Sequence, residues 1–212
     1  TEASLKEYLS LQLKLPLLSR IGPLARTFDF VANAAPGVKE ILVVGKLCYE
    51  VRENHYDLVV VDATASGHIV GQLAAPQAIK DLVQVGMVRD QTGWMLEILA
   101  DPLQTGVVIV ATPEEMPVNE TLELSTRLRD ETSVDLAAVV VNRVLPELFT
   151  RGEEAIFRSL RGPEGAAALA EALDGPVEPL LDGAELAVRM RRTRAEHLGE
   201  LRVGLPRGVE LL

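Results

Sequence analysis

The chain has 212 residues, of which 48% are hydrophobic and only 4% aromatic, so it can bury one sizeable aliphatic core. Its formal net charge of −10 excludes a phosphate-neutralising surface for non-specific nucleic-acid binding and argues against docking on anionic lipid. Its one cysteine, Cys48, excludes an internal disulfide and a CxxC zinc site, so we expect a reducing, cytoplasmic setting.

Residues 1–55 show helical spacing with interruptions. Turn signals occur at Pro16, Gly22-Pro23 and Pro36-Gly37. After the last of these, apolar residues recur at helical spacing as far as Cys48. The run 41–44, ILVV, suits a strand equally well on propensity, so helix and strand both stay open there.

The stretch after Tyr56 combines a buried-strand pattern with a loop of small residues. Leu58 to Val61 are apolar and mostly β-branched, which predicts a strand over 57–62 that is buried on both faces of a parallel sheet. Asp62 ends the run, and small residues follow it up to Gly67. A carboxylate at this position marks the edge where open α/β sheets bind ligands. Asp62 also fits the ordinary role of capping the next helix.

Residues 69–103 form a second helical stretch with many large apolar side chains, among them Met87, Trp94 and Met95. Breaks are predicted at Pro76, Gly86 and Gly93. Ordinary core packing accounts for any one of these apolar residues. Their number over 1–55 and 69–103 together favours an apolar surface that serves a partner.

Two further apolar runs, 106–111 and 135–141, predict buried parallel strands. Thr112 follows the first run and is the predicted N-cap of a helix, with Glu115 completing a capping box. Asn142 follows the second run, and the commonest use of asparagine at such a position is to begin a turn.

The C-terminal part is predicted to be mainly helical. Gly175–Leu181 indicates a short edge strand, where proline is tolerated, and Val209–Leu212 indicates a last strand. A helix is predicted over Gly183–Leu201, with Leu186, Met190 and Leu198 turned inward. Its four arginines favour a solvated face over an anion site. They are Arg189, Arg191, Arg192 and Arg194.

Three segments together resemble the anion-transporting ATPases, namely the Asp62–His68 loop, the Pro-Glu-Glu-Met segment after 106–111, and the Asn142-Arg143 strand end. This family includes the arsenite-pump ATPase, the eukaryotic ATPase that targets tail-anchored membrane proteins, and actinobacterial relatives. Its second switch is a loop that runs from a strand-terminal Asp to Gly-His and senses the γ-phosphate. Thr64-Ala65 replace the proline that is usual there. The family places helices just before this strand, which favours a helix at 41–44.

The resemblance implies an α/β fold, with a mostly parallel, doubly wound sheet of the P-loop NTPase kind. It implies a single domain over 1–212, with a helical lid from 1–55 and 69–103. ATP or ADP and Mg²⁺ are the implied cofactors, and Asp62 is the implied catalytic residue, holding Mg²⁺ through water. The residues implied to contact the nucleotide are Ser66, Gly67, His68, Asn142 and Arg143, with Asn142 at the adenine edge.

No G-x-x-x-x-G-K-S/T motif occurs in the 212 residues. The nearest fragment, Val44–Leu47, has Glu40 in the place of the first glycine and lacks the final hydroxyl residue. The backbone cradle that binds phosphates depends on both features. Because the family carries its P-loop before the matched part, we expect this chain to be a fragment of a longer ATPase and to be inactive alone.

The expected function of the parent protein is an ATPase that couples hydrolysis to the opening of an apolar groove for a client or ligand. One alternative is a non-hydrolysing carrier or chaperone subunit that acts with an active paralogue, and another is a nucleotide-independent α/β binding domain. The expected partners are a second copy or a paralogue in a dimer and a hydrophobic client, but not nucleic acid. Because no run of about 18 apolar residues occurs, membrane association is expected to be peripheral at most.

Overall fold

The computed structural model describes residues 38–63, 67–82 and 87–212, and predictions for the remaining residues lie outside the described part. The helices are α1 (Val38–Arg52), α2 (Gly67–Leu82), α3 (Met87–Ala100), α4 (Glu115–Glu131), α5 (Arg151–Leu160), α6 (Pro163–Leu173) and α7 (Glu178–Gly204). The strands are β1 (Val107–Ala111), β2 (Leu136–Val141) and β3 (Glu210–Leu211).

The three strands form one sheet in the order β1-β2-β3. The Leu212 N–H donates to the Val139 carbonyl at 2.9 Å, and the Leu212 carbonyl accepts from the Val141 N–H at 2.8 Å, which is the pattern of a parallel pair. A small parallel sheet connected by helices agrees with the expected α/β class. The strands predicted at 106–111, at 135–141 and after Val209 are confirmed close to their predicted bounds.

β1 has one buried face and one open face among the described residues. Ile109 and Ala111 are buried, whereas Val108 and Val110 are 53% and 66% exposed. Since successive side chains of a strand point to opposite faces, the open face is apolar. Gly106 lies directly before β1 and close to Ala137 of β2. A Cβ added at Gly106 would lie only 2.9 Å from the Cβ of Ala137.

The chain divides into two compact units, and the first holds α1, α2 and α3 together with residues 123–138. In this unit α2 packs on α3, and both pack on α1. The core is formed by buried side chains from α1, α3 and the end of the α4–β2 loop. They are Val44, Cys48, Met95, Ile98, Leu99 and Val134. The helix predicted at 41–44 is confirmed, and the single domain expected from the sequence stays a prediction.

Trp94 belongs to the packing of this helical core. Its side chain is partly buried against the core, and its Nε1 donates to the Gln91 side-chain oxygen at 2.9 Å. The Arg52 guanidinium lies 5.0 Å from the centre of the indole ring. Met95 is only 4% exposed. For these two residues ordinary core packing is therefore the correct interpretation, and the side chain of Met87 lies outside the described part.

The second unit holds residues 109–122 and 139–212, and its longest element is α7. Leu181 and Leu201 are the buried residues of this helix. Leu186 and Met190 were expected to turn inward, and this is wrong, because they are 49% and 42% exposed. Gly204 lies against α4, where a Cβ would approach the Leu122 side chain at 2.8 Å.

The edge strand predicted over Gly175–Leu181 is also wrong. Asp174 ends α6 in the left-handed conformation, with φ of 51°. The chain then turns, and α7 begins at Glu178, with a proline in its first turn. The first turn is the one helical position that proline suits, because its missing N–H would have no partner there.

The strand predicted over 57–62 is not formed. Residues 58–63 carry no strand, and Leu58 and Val60 are 78% and 82% exposed. An apolar run becomes a strand only when a neighbour supplies hydrogen bonds to its backbone. Within the described residues the sheet contains β1, β2 and β3 alone, so this run has no neighbouring strand.

None of the helices that the structure describes combines the length and the apolar character that crossing a membrane requires.

We expect Cys48 to stay unreactive until the helices of the first unit separate. Burial raises the pKa of its thiol to about 12, and the protonated thiol is a poor nucleophile. Iodoacetamide labelling near the ordinary thiol pKa, about 8.5, should therefore rise only across the unfolding transition. The measurement is intact mass after a fixed labelling time along a urea series, with glutathione in the same tube as the reactive control. Rapid labelling without urea would contradict this expectation.

Candidate functional site

Asn142 and Arg143 lie directly after β2, at the carboxyl end of a parallel strand. The Asn142 N–H donates to the Ala111 carbonyl at 2.8 Å, which ties this residue to the end of β1. Its side-chain Oδ1 accepts from the Arg143 N–H at 2.8 Å. Asn142 therefore does begin a turn. Its carboxamide nitrogen has no hydrogen-bond partner among the described residues, so two donors remain available to a ligand.

Arg143 has a left-handed backbone, with φ of 56°. This conformation costs a residue with a side chain roughly 1–2 kcal/mol. The Arg143 carbonyl accepts a hydrogen bond from Nη1 of Arg194 at 3.3 Å. A conformation of this cost persists where surrounding contacts hold it, and this hydrogen bond is one such contact.

Glu114 takes the N-cap position of α4. Its carbonyl accepts from the Val118 N–H at 3.0 Å, and the helix begins at Glu115. The capping box predicted for Thr112 and Glu115 is therefore wrong, because a tight turn intervenes in which the Glu114 N–H donates to the Thr112 carbonyl at 2.9 Å. A capping box does occur, but at Thr150 and Glu153 at the start of α5.

Arg194 of α7 reaches both strand ends with one guanidinium. Its Nη2 donates to Oε1 of Glu114 at 2.7 Å, and its Nη1 donates to the Arg143 carbonyl at 3.3 Å. The Arg194 side chain is 19% exposed, and that of Glu114 is 50% exposed. The planar guanidinium suits this task, since its donors lie in a fixed fork. The chain after β1 and the chain after β2 are thus cross-linked through one side chain.

A cavity of about 400 Å³ opens beside this cross-link. It is lined by the start of α4 and by one side of α7, through Pro113, Glu114, Glu115, Arg189, Met190, Thr193, Arg194 and His197. Its volume lies within the range of small-molecule sites, about 300–1,000 Å³. The lining combines two apolar side chains with charges of both signs, so it suits a ligand with an apolar ring and several polar groups.

The residues predicted around the second switch fall in the first unit. Asp62 is exposed in an irregular segment, and Ser66 lies outside the described residues. Gly67 is the first residue of α2, and His68 is exposed in the first turn of that helix. Asn142 and Arg143 belong to the second unit. Within each unit, the predicted site residues that lie together are ones already adjacent in sequence, namely Gly67 with His68 and Asn142 with Arg143.

The four arginines of α7 do not converge on one anion site. Arg192 pairs with Glu154, Arg194 pairs with Glu114, and Arg189 is exposed at the cavity. The Nε atom of Arg191 is buried and has no hydrogen-bond partner within the described chain. The solvated face that we favoured agrees with the exposure of Arg189 and Arg192, whereas Arg194 is a structural link.

The described residues offer a polar group to the base of a nucleotide, but they contain no loop that would bind its phosphates. Among residues 38–63, 67–82 and 87–212, no three His, Cys, Asp or Glu side chains are grouped so that they could hold a metal ion. Mg²⁺ on a nucleotide, however, commonly takes only one or two protein carboxylates beside phosphate oxygens. Asp62 offers one such carboxylate, and Asn142 offers an amide to a base. The sequence contains no glycine-rich lysine loop for the phosphates.

Sequence reasoning missed the link between Glu114 and Arg194, which are 80 positions apart. It also missed Thr193 and His197 as cavity residues. One signal was present, because Arg189, Thr193 and His197 recur every four residues and so share one face of a helix. The partner of that face was not readable from the pattern.

Comparison with known proteins gives matches over most of the chain. A family model described as anion-transporting ATPase matches residues 20–95 and 87–159. ATPase BagA of Mycobacterium tuberculosis is 31% identical over 151 residues, which are 68% of this chain and 44% of that protein. An ATPase ASNA1 homolog of Entamoeba dispar is 25% identical over 162 residues, covering 61% of this chain and 48% of that protein. The chain therefore spans less than half the length of these curated relatives.

The Glu114–Arg194 pair should be measurable in a double-mutant cycle. We expect Glu114→Gln and Arg194→Gln to be coupled by about 0.5–1 kcal/mol in the free energy of unfolding, the range for a partly exposed ion pair. Urea denaturation of the four proteins gives this number, and high salt should reduce it. The matched control is a cycle of Arg194→Gln with Glu115→Gln, which removes the neighbouring charge. Equal coupling in both cycles would mean that the pair has no specific contact.

Proposed function

Because this chain belongs to the anion-transporting ATPase family, we propose that it is part of an ATP-binding ATPase whose nucleotide base lies at the carboxyl ends of β1 and β2. The single observation that carries this proposal is the Asn142–Arg143 turn. It places a carboxamide with two unused donors at the end of a parallel strand, and the Arg143 carbonyl accepts from Arg194, which lines a cavity of small-molecule size. Open α/β sheets bind their ligands at that edge.

The proposed contact of Asn142 is with the adenine edge. Adenine presents an acceptor at N7 and a donor at N6, and a carboxamide matches both. Oδ1 of Asn142 already accepts from the Arg143 N–H but keeps a second lone pair. Asn142 can therefore accept from the exocyclic amine while its nitrogen donates to the ring. Arg143, which is exposed next to it, adds a positive charge near the nucleotide.

The proposed role of Asp62 is to hold Mg²⁺ through water near the γ-phosphate, with Ser66, Gly67 and His68 in the loop that follows. Bound Mg²⁺ would supply neutralisation of the charge that develops on the transferred phosphoryl group. Asp62 is exposed, so its carboxylate is open to a ligand. Phosphate binding itself is assigned to a P-loop outside the 212 residues, since no such motif lies within them.

We further propose that residues 1–55 and 69–103 act as the lid of a fold with a mostly parallel, doubly wound sheet, and that this lid opens an apolar groove for a client. α2 begins at Gly67, directly after the Asp62 loop, and packs on α1 and α3. Ordering of that loop would therefore displace α2 relative to the two helices on which it packs. Leu82 and Leu103, which are 81% and 94% exposed, are available to a hydrophobic client. A second copy or a paralogue is the proposed dimer partner.

In the full-length gene product, we expect Asp62→Asn to lower kcat by at least about a hundredfold while ADP affinity stays nearly unchanged. A carboxylate linked to Mg²⁺ acts mainly where transition-state charge develops. The measurement is steady-state phosphate release together with calorimetric ADP titration. Asp57→Asn is the matched control, since Asp57 is an exposed aspartate in the same segment. Equal losses in ADP affinity and turnover would make Asp62 a structural residue.

The 212-residue chain alone should hydrolyse ATP no faster than buffer does. It lacks the glycines and the lysine that cradle and polarise the β- and γ-phosphates. Phosphate release with and without Mg²⁺ measures this, and a parallel preparation from cells without the gene reports contaminating ATPases. Turnover that depends on Mg²⁺ and survives this control would refute the assignment of phosphate binding to another part of the protein.

A further inference from the structure

We propose that Arg194 is a positioning residue that sets the adenine selectivity of the site by holding the Asn142–Arg143 turn in its left-handed geometry. The inference rests on the proposed function, because it concerns the same base contact. The proposed role does not require Arg194 to contact the ligand, although Arg194 also lines the cavity. It acts through the backbone of Arg143, to which the Asn142 side chain is bonded.

The turn is held on two sides by different kinds of contact. On its N-terminal side, the Asn142 N–H is bonded to the Ala111 carbonyl within the sheet. On its C-terminal side, the Arg143 carbonyl receives Nη1 of Arg194. The hydrogen bond to the Ala111 carbonyl fixes the position of the Asn142 backbone. The direction of the Asn142 carboxamide depends on the Arg143 peptide, because Oδ1 of Asn142 accepts from the Arg143 N–H.

Arg143 makes this second contact necessary. Its φ of 56° is a conformation that residues with a side chain adopt at a cost, so the turn relaxes toward right-handed backbone unless something opposes it. Relaxation would rotate the Arg143 N–H and carry the Asn142 amide with it. The amide would then lose its alignment with a donor-acceptor pair on the base, although it would remain near it.

Glu114 holds the arginine in place. Its carboxylate binds Nη2 at 2.7 Å and leaves Nη1 pointing at the Arg143 carbonyl. The Arg194 side chain is largely buried, whereas Arg202 of the same helix is exposed and Arg192 pairs with Glu154 on α5. Among these three arginines of α7, only Arg194 therefore connects the ends of β1 and β2.

Selectivity is the property that distinguishes positioning from bulk stability. Guanine presents two acceptors on the edge where adenine presents an acceptor and a donor. An aligned amide favours adenine by its accepting oxygen, and a misaligned amide loses that preference. A mutation that merely loosens the fold would instead weaken ATP and GTP binding alike.

The experiment compares ATP and GTP affinities of the full-length gene product by calorimetry for wild type, Arg194→Gln and Arg202→Gln. We expect Arg194→Gln to reduce the ATP-over-GTP affinity ratio by about fivefold to tenfold, the effect of one lost hydrogen bond, mainly through weaker ATP binding. Arg202→Gln removes the same charge from the same helix and should leave the ratio unchanged. Glu114→Gln should shift the ratio in the same direction by a smaller factor, and it serves if Arg194→Gln fails to fold.

Each other outcome overturns the inference in a recognisable way. An unchanged ratio in Arg194→Gln and in Glu114→Gln, or an equal weakening of both nucleotides, refutes the positioning role and leaves the proposed function intact. A wild-type protein that binds ATP and GTP equally refutes the base contact on which the positioning acts. A wild-type protein that binds neither refutes the proposed function as well.

Discussion

The parallel hydrogen-bond pairing of β2 with its neighbours is the constraint on which the candidate site depends. The bond from the Asn142 N–H to the Ala111 carbonyl brings the ends of β1 and β2 together, and the bonds of Leu212 place β3 on the other side of β2. Because the strands are parallel, the loops that follow β1 and β2 emerge at one edge. Glu114 and Arg143 both lie within reach of Arg194 for this reason, although their sequence positions do not indicate it. Arg194 can join the two loops only because the sheet has already brought them within reach.

Elements with local signals were predictable from the sequence. Apolar β-branched runs predicted β1 and β2, and helical spacing predicted most of α7 although Gly199 lies inside it. The predictions that failed depend on partners distant in sequence. Leu58 to Val61 has the composition of a strand but lacks a neighbour within the described residues. Leu186 and Met190 have helical spacing, yet no element in the described part of the chain covers them.

The residues of the candidate site also separate into those that local sequence patterns predict and those that depend on partners distant in sequence. The turn at Asn142 was predictable because asparagine commonly begins a turn after a strand, whereas its adenine contact was implied by the family resemblance alone. The structure adds the turn geometry that the pattern could not contain. The capping box predicted at Thr112 failed because the Thr112–Glu114 turn moves the N-cap two residues along the chain, to Glu114, whose side chain then contacts Arg194. The helix therefore starts at a residue whose side chain forms an ion pair with α7, in place of the predicted cap at Thr112. Contacts that span 51 and 80 positions, like those of Arg194, depend on topology and not on local propensity.

Within the described residues β1 has an open face and an unpaired edge, and both affect how this chain behaves at high concentration. β1 is a terminal strand in the sheet of the described residues, and Val108 and Val110 are exposed on it. A strand with unpaired backbone and apolar side chains is a template for pairing with another chain. The net charge of −10 opposes such self-association through mutual repulsion at neutral pH. This colloidal protection disappears as the solution approaches the isoelectric point, pI ≈ 4.9, so acidic buffers favour precipitation through the sheet edge.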